Sequence, residues 1–272
     1  MAGAGRLELA LLPGARELLA LHERELPQRD DLCGAFCGSL ALAAAGIAER
    51  DGEPTDQDAV ALAAGSVIAT AHGSLPYGES GRRDYRLAIP EIDDSDVSGT
   101  TAAGVQRAIE ELSGGALAAV PLVGPWNAAT LDGLFGLLAG YERAVTLIAN
   151  LATHHLWGSH PSVSRLLAYL LDGEPEGPEP DWRVGHFVVV VGRVAGPGGT
   201  LYALADTYPA LGDRGVHLQP RERLAAAIER RDMPAGGMLA VVFAGDAGRT
   251  REGASALGLR EAIWDNGTVV GA

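Results

Sequence analysis

The sequence has no lysine; apart from histidine, every basic side chain is an arginine. A guanidinium cannot lose its proton to form a Schiff base, and it does not replace the compact ammonium of a Walker-type phosphate loop. Those chemistries and pyridoxal-phosphate catalysis are excluded, although Arg-rich codon usage is a sufficient cause of the bias. Basic blocks are also missing, aromatics make up only 5% of the chain and the formal charge is −14. Such a surface repels phosphate backbones and anionic lipids, so neither nucleic acid nor a membrane is expected as a partner.

Long apolar runs are absent too. The run over residues 7–12 is interrupted by Glu8, and no stretch reaches the ~18 uncharged apolar residues that a spanning helix requires. No export signal is visible, and a cytoplasmic protein is expected. Cys33 and Cys37 are the only cysteines and lie four positions apart. A bridge between them would close a tiny loop and add little stability, so reduced thiols are expected.

What is present is apolar bulk. With 47% apolar residues in a chain of 272, a large core forms without metals or disulfides, and no cofactor is expected. Helical spacing of Ala and Leu marks residues 15–24, 38–50 and 57–71. After Thr100, short apolar runs over 117–123 and 144–150 alternate with helices over 128–140 and 162–171. The run that opens at His186 and the run over 201–205 flank the turn Gly196-Pro-Gly-Gly-Thr200 and read as a β-hairpin. A helix over 220–230 and a buried strand over 238–244 follow. Helices first and a largely antiparallel sheet second predict an α+β fold. Residues 1–246 are expected as one domain, helical over about 1–115 and sheet-forming over about 116–246, with a C-terminal extension over 247–272.

One constellation carries chemistry. In Leu26-Pro-Gln-Arg-Asp-Asp-Leu-Cys-Gly-Ala-Phe-Cys, polar turn-forming residues give way at Cys33 to an Ala-rich helix. Unpaired N–H groups at a helix start activate a thiol. Gly34 would leave room there for a substrate, and Gln28 could aim an amide N–H at the oxygen of a tetrahedral intermediate together with the Cys33 backbone N–H. The expected base is His186, which begins His-Phe-Val-Val-Val-Val-Gly; Asp206 ends the returning strand in Ala205-Asp-Thr-Tyr-Pro209. The two ends of such a hairpin lie side by side, so the carboxylate can orient the imidazole.

This order of Gln, Cys-Gly, His-Phe-Val-Val and a strand-terminal Asp resembles papain-like cysteine peptidases, especially the bacterial peptidases that cleave leader peptides and are fused to bacteriocin exporters. The match covers about two-fifths of the chain, in separate pieces. Gln28 stands one residue closer to the Cys than is usual in that family, and Asp206 is followed by Thr207-Tyr208-Pro209 rather than directly by Pro. The resemblance implies a helical lobe with Cys33 at a helix N-terminus, packed on a mainly antiparallel sheet with His186 and Asp206. It also implies hydrolysis of a peptide or other amide through an acyl-enzyme. The same groups serve an acyltransferase, thioesterase or cyclase, acting on a peptide or a small amide or thioester, and a catalytically silent binding domain could keep the fold.

The remaining candidates have structural readings. Cys37, one turn below Cys33, is expected as a buried thiol. His154, His155 and His160 form the only histidine cluster. Adjacent histidines on a strand point to opposite faces, so no metal site is expected, although the cluster or Trp157 could line the cleft. The acidic stretches 91–96 and 174–181 are expected as solvated loops, the second a possible lid before His186.

Overall fold

The computed structural model describes residues 6–71, 73–180 and 182–271. Asp181, the end of the expected acidic lid, lies outside the described residues. The chain begins with β1 (Glu8–Leu11), α1 (Ala15–Glu25) and α2 (Cys33–Ala44). Two short strands, β2 (Glu49–Arg50) and β3 (Glu53–Pro54), lead to α3 (Gln57–Ala64). Two more, β4 (Ile68–Ala69) and β5 (Glu91–Ile92), precede α4 (Ala102–Leu112). The chain continues through β6 (Leu117–Val123), α5 (Ala128–Ala139), β7 (Thr146–Ala152) and α6 (Val163–Asp172). Then come β8 (Gly185–Ala195), β9 (Thr200–Ala205), β10 (Val216–Pro220), α7 (Arg221–Glu229) and β11 (Gly237–Phe243). Helix α8 (Ala247–Ala256) and β12 (Arg260–Glu261) complete it.

The fold is α+β with a mainly antiparallel sheet. Among the described residues, eight strands form that sheet in the order β10-β9-β8-β7-β11-β6-β12, with β1 pairing beside β8. Strand β8 explains the arrangement. Its run Val188–Val191 is buried without a break, which requires cover on both faces rather than on one. On one edge β8 pairs with β9, and on the other with β7 over its first half and β1 over its second. Helix α2 packs directly on β8. Because α2 is buried from Gly34 to Leu42, it shows no polar stripe in sequence. Phe36 and Phe187 are both buried in this shared core; truncating either to Ala would cost about 3–5 kcal/mol.

Several boundaries differ from the sequence expectation, for local reasons. The helix expected over 38–50 instead begins at Cys33 and stops at Ala44. Gly46 takes a left-handed φ of 83°, and the Ile47 N–H turns back to the Leu42 carbonyl at 2.9 Å, a closure that ends helices. Helix α3 stops at Ala64 rather than at residue 71, because Gly65 at φ 67° caps it. Helix α4, which the apolar pattern did not reveal, starts where the Thr101 side chain accepts the Gly104 N–H at 2.9 Å. Residues 247–272, set apart as an extension, join the fold: β12 pairs antiparallel with β6 and Trp264 is buried in the main core. Among the described residues no helix is long and apolar enough to cross a membrane.

Candidate active site

Cys33 is the first residue of α2, and no side chain caps the helix at Leu32. The backbone N–H groups of its first turn therefore keep their hydrogen-bonding capacity beside the thiol. The entry to this helix is held rigidly. The Gln28 N–H donates to the Thr207 carbonyl at 2.9 Å, the Asp30 N–H to the Arg82 carbonyl at 2.8 Å, and the Arg29 N–H to Gln57 Oε1 at 2.7 Å. Asp31 enters the left-handed region at φ 64° and is fixed there by accepting the Ala69 N–H at 2.7 Å. Gly34 has a packing role rather than a substrate-facing one. A Cβ at that position would lie 3.0 Å from the Thr100 and Val105 side chains and 3.2 Å from Phe187.

The hairpin of β8 and β9 brings the expected partners together. His186 Nε2 donates to Asp206 Oδ1 at 2.9 Å, and both side chains are buried. With Nε2 committed to the carboxylate, Nδ1 is the ring nitrogen left for the thiol. Burial alone would lower the His186 pKa, but the Asp206 charge and hydrogen bond, with smaller contributions from Cys33, outweigh it and raise the pKa. For Asp206 burial works upward, yet His186 and then His217 hold the carboxyl well below the usual carboxylate range. The two shifts share one cause, a buried ion pair that favours imidazolium and carboxylate together. Cys37 is fully buried, and that burial pushes its thiol well up.

Gln28, Cys33 and His186 line one cavity of about 400 Å³. Gln28 Oε1 accepts the Thr207 hydroxyl at 2.5 Å, and Nε2 donates to the Arg29 carbonyl at 3.3 Å. An amide nitrogen carries a second hydrogen, which is the one able to serve an oxyanion. Thr207 also lies 3.2 Å from His186 Nε2 through its hydroxyl. Thr207, which follows Asp206 directly, therefore ties Gln28 to the imidazole. Aromatic rings close around His186: Trp182 edge-on at 5.1 Å and Tyr208 stacked at 6.3 Å between ring centroids. The Trp182 indole N–H donates to Ser74 Oγ at 2.8 Å. Two loops without regular structure are thereby joined where they line the cavity.

Other residues of the site had escaped the sequence reading. His217 Nε2 reaches the free oxygen of Asp206, Oδ2, at 3.2 Å. Its tautomer is fixed by Gln219. That amide is oriented by the Trp157 backbone, accepting the N–H at 2.7 Å and donating to the carbonyl at 2.9 Å. It also donates to His217 Nδ1 at 2.9 Å. His217 must then carry its proton on Nε2, facing Asp206. The available signal was two polar residues at a spacing of two in the otherwise apolar run Val216-His-Leu-Gln-Pro220, which puts both on one face of a strand. His22 adds a third contact, from Nε2 to the Asp206 backbone carbonyl at 2.5 Å. Asn150 and Arg230 line the same cavity, and nothing in their sequence surroundings marks them.

The histidine cluster departs from expectation. His154 and His155 lie in a single 3₁₀ turn, Thr153–His155, not on a strand, so their rings fall on one side. Both Nε2 atoms meet Asp232, at 2.7 and 2.9 Å. These ligand atoms lie within 4.8 Å of one another, close enough to hold a metal ion, but Arg183 also reaches the same carboxylate at 3.4 Å. His160 is separate and bonds the Ala210 carbonyl at 2.9 Å. Trp157 is buried against Tyr169; the tryptophan that lines the cavity is Trp182.

None of the curated proteins matches this chain. A family model described as a family of unknown function, DUF6885, matches residues 12–265, and the chain belongs to that family.

Proposed function

We propose that this protein is a papain-like cysteine hydrolase that cleaves a peptide or other amide bond through an acyl-enzyme. The observation that carries this reading is Cys33 at an uncapped helix start in one cavity with His186, whose Nε2 is held by Asp206 at 2.9 Å. A thiol, a base and a group that orients the base are the parts that nucleophilic acyl transfer needs.

In this mechanism the Cys33 sulfur attacks the amide carbonyl and forms a C–S bond. The carbonyl oxygen becomes an oxyanion, stabilised by the Cys33 backbone N–H and the second hydrogen of Gln28 Nε2. The proton held by His186 passes to the leaving amine as the C–N bond breaks. Water then gives a proton to His186 and attacks the thioester carbon, the C–S bond breaks, and the acid leaves with the Cys33 thiolate restored beside the imidazolium. Asp206 keeps the imidazole oriented throughout, and Trp182 and Tyr208 shield it from bulk water.

The test is a mixed peptide library analysed by mass spectrometry, together with a peptide thioester used to trap the acyl group. Wild-type protein is expected to cleave a subset of the library and to carry the acyl mass on Cys33, whereas Cys33→Ala does neither. A correctly folded wild-type protein that shows neither cleavage nor adduct would exclude the hydrolase reading.

A further inference from the structure

Among the described residues the largest fully buried side chain is a cation. Arg230 is 1% exposed, and among the described residues no carboxylate lies within ion-pair distance of it. Among the described residues its guanidinium is hydrogen-bonded to neutral oxygens, Nη2 donating to Asn150 Oδ1 at 2.8 Å and to the Ala235 carbonyl at 2.5 Å, and Nη1 to the Leu151 carbonyl at 3.4 Å, and the opposite charge that acts on it is that of the Cys33 thiolate. Nε–H has no partner. A buried charge without a counter-charge in contact is costly, and natural proteins seldom leave one unpaired without a use for it. Burial lowers the Arg230 pKa only to about 10, so the group remains cationic at neutral pH.

This cation faces the chemistry. Arg230 lines the same cavity as Cys33 and His186. Its anchor Asn150 also donates to the His186 carbonyl at 3.3 Å and accepts the Trp264 indole N–H at 3.0 Å. One amide thus holds both the guanidinium and the backbone of His186. Gly185, the residue before His186, packs directly against the guanidinium: a Cβ there would stand 3.0 Å from Nη1. The backbone at Arg230 is strained as well, at φ 28° and ψ 69°. Strain of this kind in a non-glycine residue persists where the surrounding structure enforces it, commonly at binding sites.

We propose that Arg230 is the anion-binding element of the Cys33 cavity and that the substrate amide carries a carboxylate that pairs with this guanidinium. The proposal rests on the hydrolase reading of the same cavity and adds the class of substrate. A carboxylate fits better than a phosphate dianion, because three carbonyl-type oxygens already face the guanidinium and would repel the second negative charge. The overall charge of −14 opposes an acidic substrate at long range. That repulsion is screened beyond about 8–10 Å, leaving the local cation to decide recognition within the cavity.

The carboxylate could be a peptide C-terminus or an acidic side chain, and matched probes separate the two. They are acetylated tetra-alanine with a free C-terminus, its amidated form, and amidated tetrapeptides in which one alanine is replaced by Glu or by Gln. Wild-type protein is expected to cleave a carboxylate-bearing peptide at least about tenfold faster, as kcat/KM, than its uncharged twin, and the favoured member identifies the source of the charge. Arg230→Gln should remove the preference, and Arg230→Lys should retain part of it. The wild-type comparison needs no variant to fold. Equal cleavage of charged and uncharged twins overturns the anion subsite while leaving the hydrolase reading intact. If nothing is cleaved, isothermal titration of the same peptides separates the two ideas. Carboxylate-dependent binding that Arg230→Gln abolishes supports the subsite and removes the hydrolase reading, and absence of any charge-dependent binding overturns the subsite as well.

Discussion

His217 donates from Nε2 to Asp206 Oδ2 across 3.2 Å, occupying the carboxylate oxygen that His186 leaves free. Asp206 is then fixed from both sides, and the Thr207 N–H adds a bond to Oδ1 at 2.7 Å. A hydrogen bond to a charged group contributes about 1.5–3 kcal/mol. His217→Leu is therefore expected to lower unfolding free energy by about that amount in urea denaturation and to reduce turnover by loosening the carboxylate. Gln219→Leu, which frees the tautomer without removing the ring, should cause a smaller loss of the same kind. Wild-type stability and turnover in both variants would show that the Asp206–His217 contact contributes nothing.

The parts of this site that can be read in sequence are those placed at element ends. Cys33 begins a helix, and His186 at the start of a strand and Asp206 after the returning strand are set side by side by hairpin connectivity, whereas Cys33 reaches them through the packing of α2 on β8. The supporting groups cannot be read that way. Arg230 and Asn150 meet at 2.8 Å only because α7 and β7 pack together, and Trp182 reaches Ser74 through two irregular loops. Their contacts depend on tertiary packing, which has no periodic signature. The helix ends at Gly46 and Gly65 were readable in principle, since each glycine takes a left-handed conformation where the Ala-rich pattern continues past it. The histidine pair falls on one side, unlike adjacent residues of a strand, because residues 153–155 turn instead of extending.

Gln28 is expected to act on the transition state and not on the fold of the thiol site. Gln28→Ala should lower turnover about a hundredfold, the cost of one lost oxyanion donor, while Cys33 alkylation by iodoacetamide proceeds at nearly the wild-type rate. Thr207→Val, which removes the hydroxyl that holds Gln28 Oε1 at 2.5 Å, should produce an intermediate loss. Undiminished turnover in Gln28→Ala would place its amide away from the oxyanion.

The His186–Asp206 pair makes a pH-dependent contribution to stability. Asp206 titrates lower in the folded chain, so its contribution is present above the unfolded value of about 3.9 and is lost as pH falls through the depressed folded value. His186 titrates higher in the folded chain. Its contribution is complete below the unfolded value of about 6.5 and is lost as pH rises through the raised folded value. The pair therefore stabilises most between about pH 4 and 6.5. Asp206→Ala is expected to cost about 3–5 kcal/mol at pH 6, and less at pH 9. Asp206→Asn should be tolerated better, because an amide oxygen still accepts the imidazole N–H. A cost independent of pH, or equal loss of activity in folded Asn and Ala variants, would contradict this account of the pair.

The two thiols should differ sharply in reactivity, and the reason is where each sits on α2. Cys33 is half-buried at the uncapped first turn, facing the cavity and His186. Cys37 lies one turn deeper, fully buried, where the helix N–H groups are already bonded and burial holds the thiol protonated. Iodoacetamide at about pH 6, well below the ordinary thiol value of about 8.5, is expected to alkylate Cys33 much faster than Cys37. His186→Ala should slow that labelling, because it removes the imidazolium while leaving the helix terminus in place. The sites share a peptide, but fragmentation between Gly34 and Phe36 assigns the adduct. Trp182→Ala should increase the Cys33 labelling rate if the indole limits access to the cavity. Faster labelling of Cys37, or full activity in Cys33→Ala, would overturn the assignment of the nucleophile and with it the oxyanion role of Gln28.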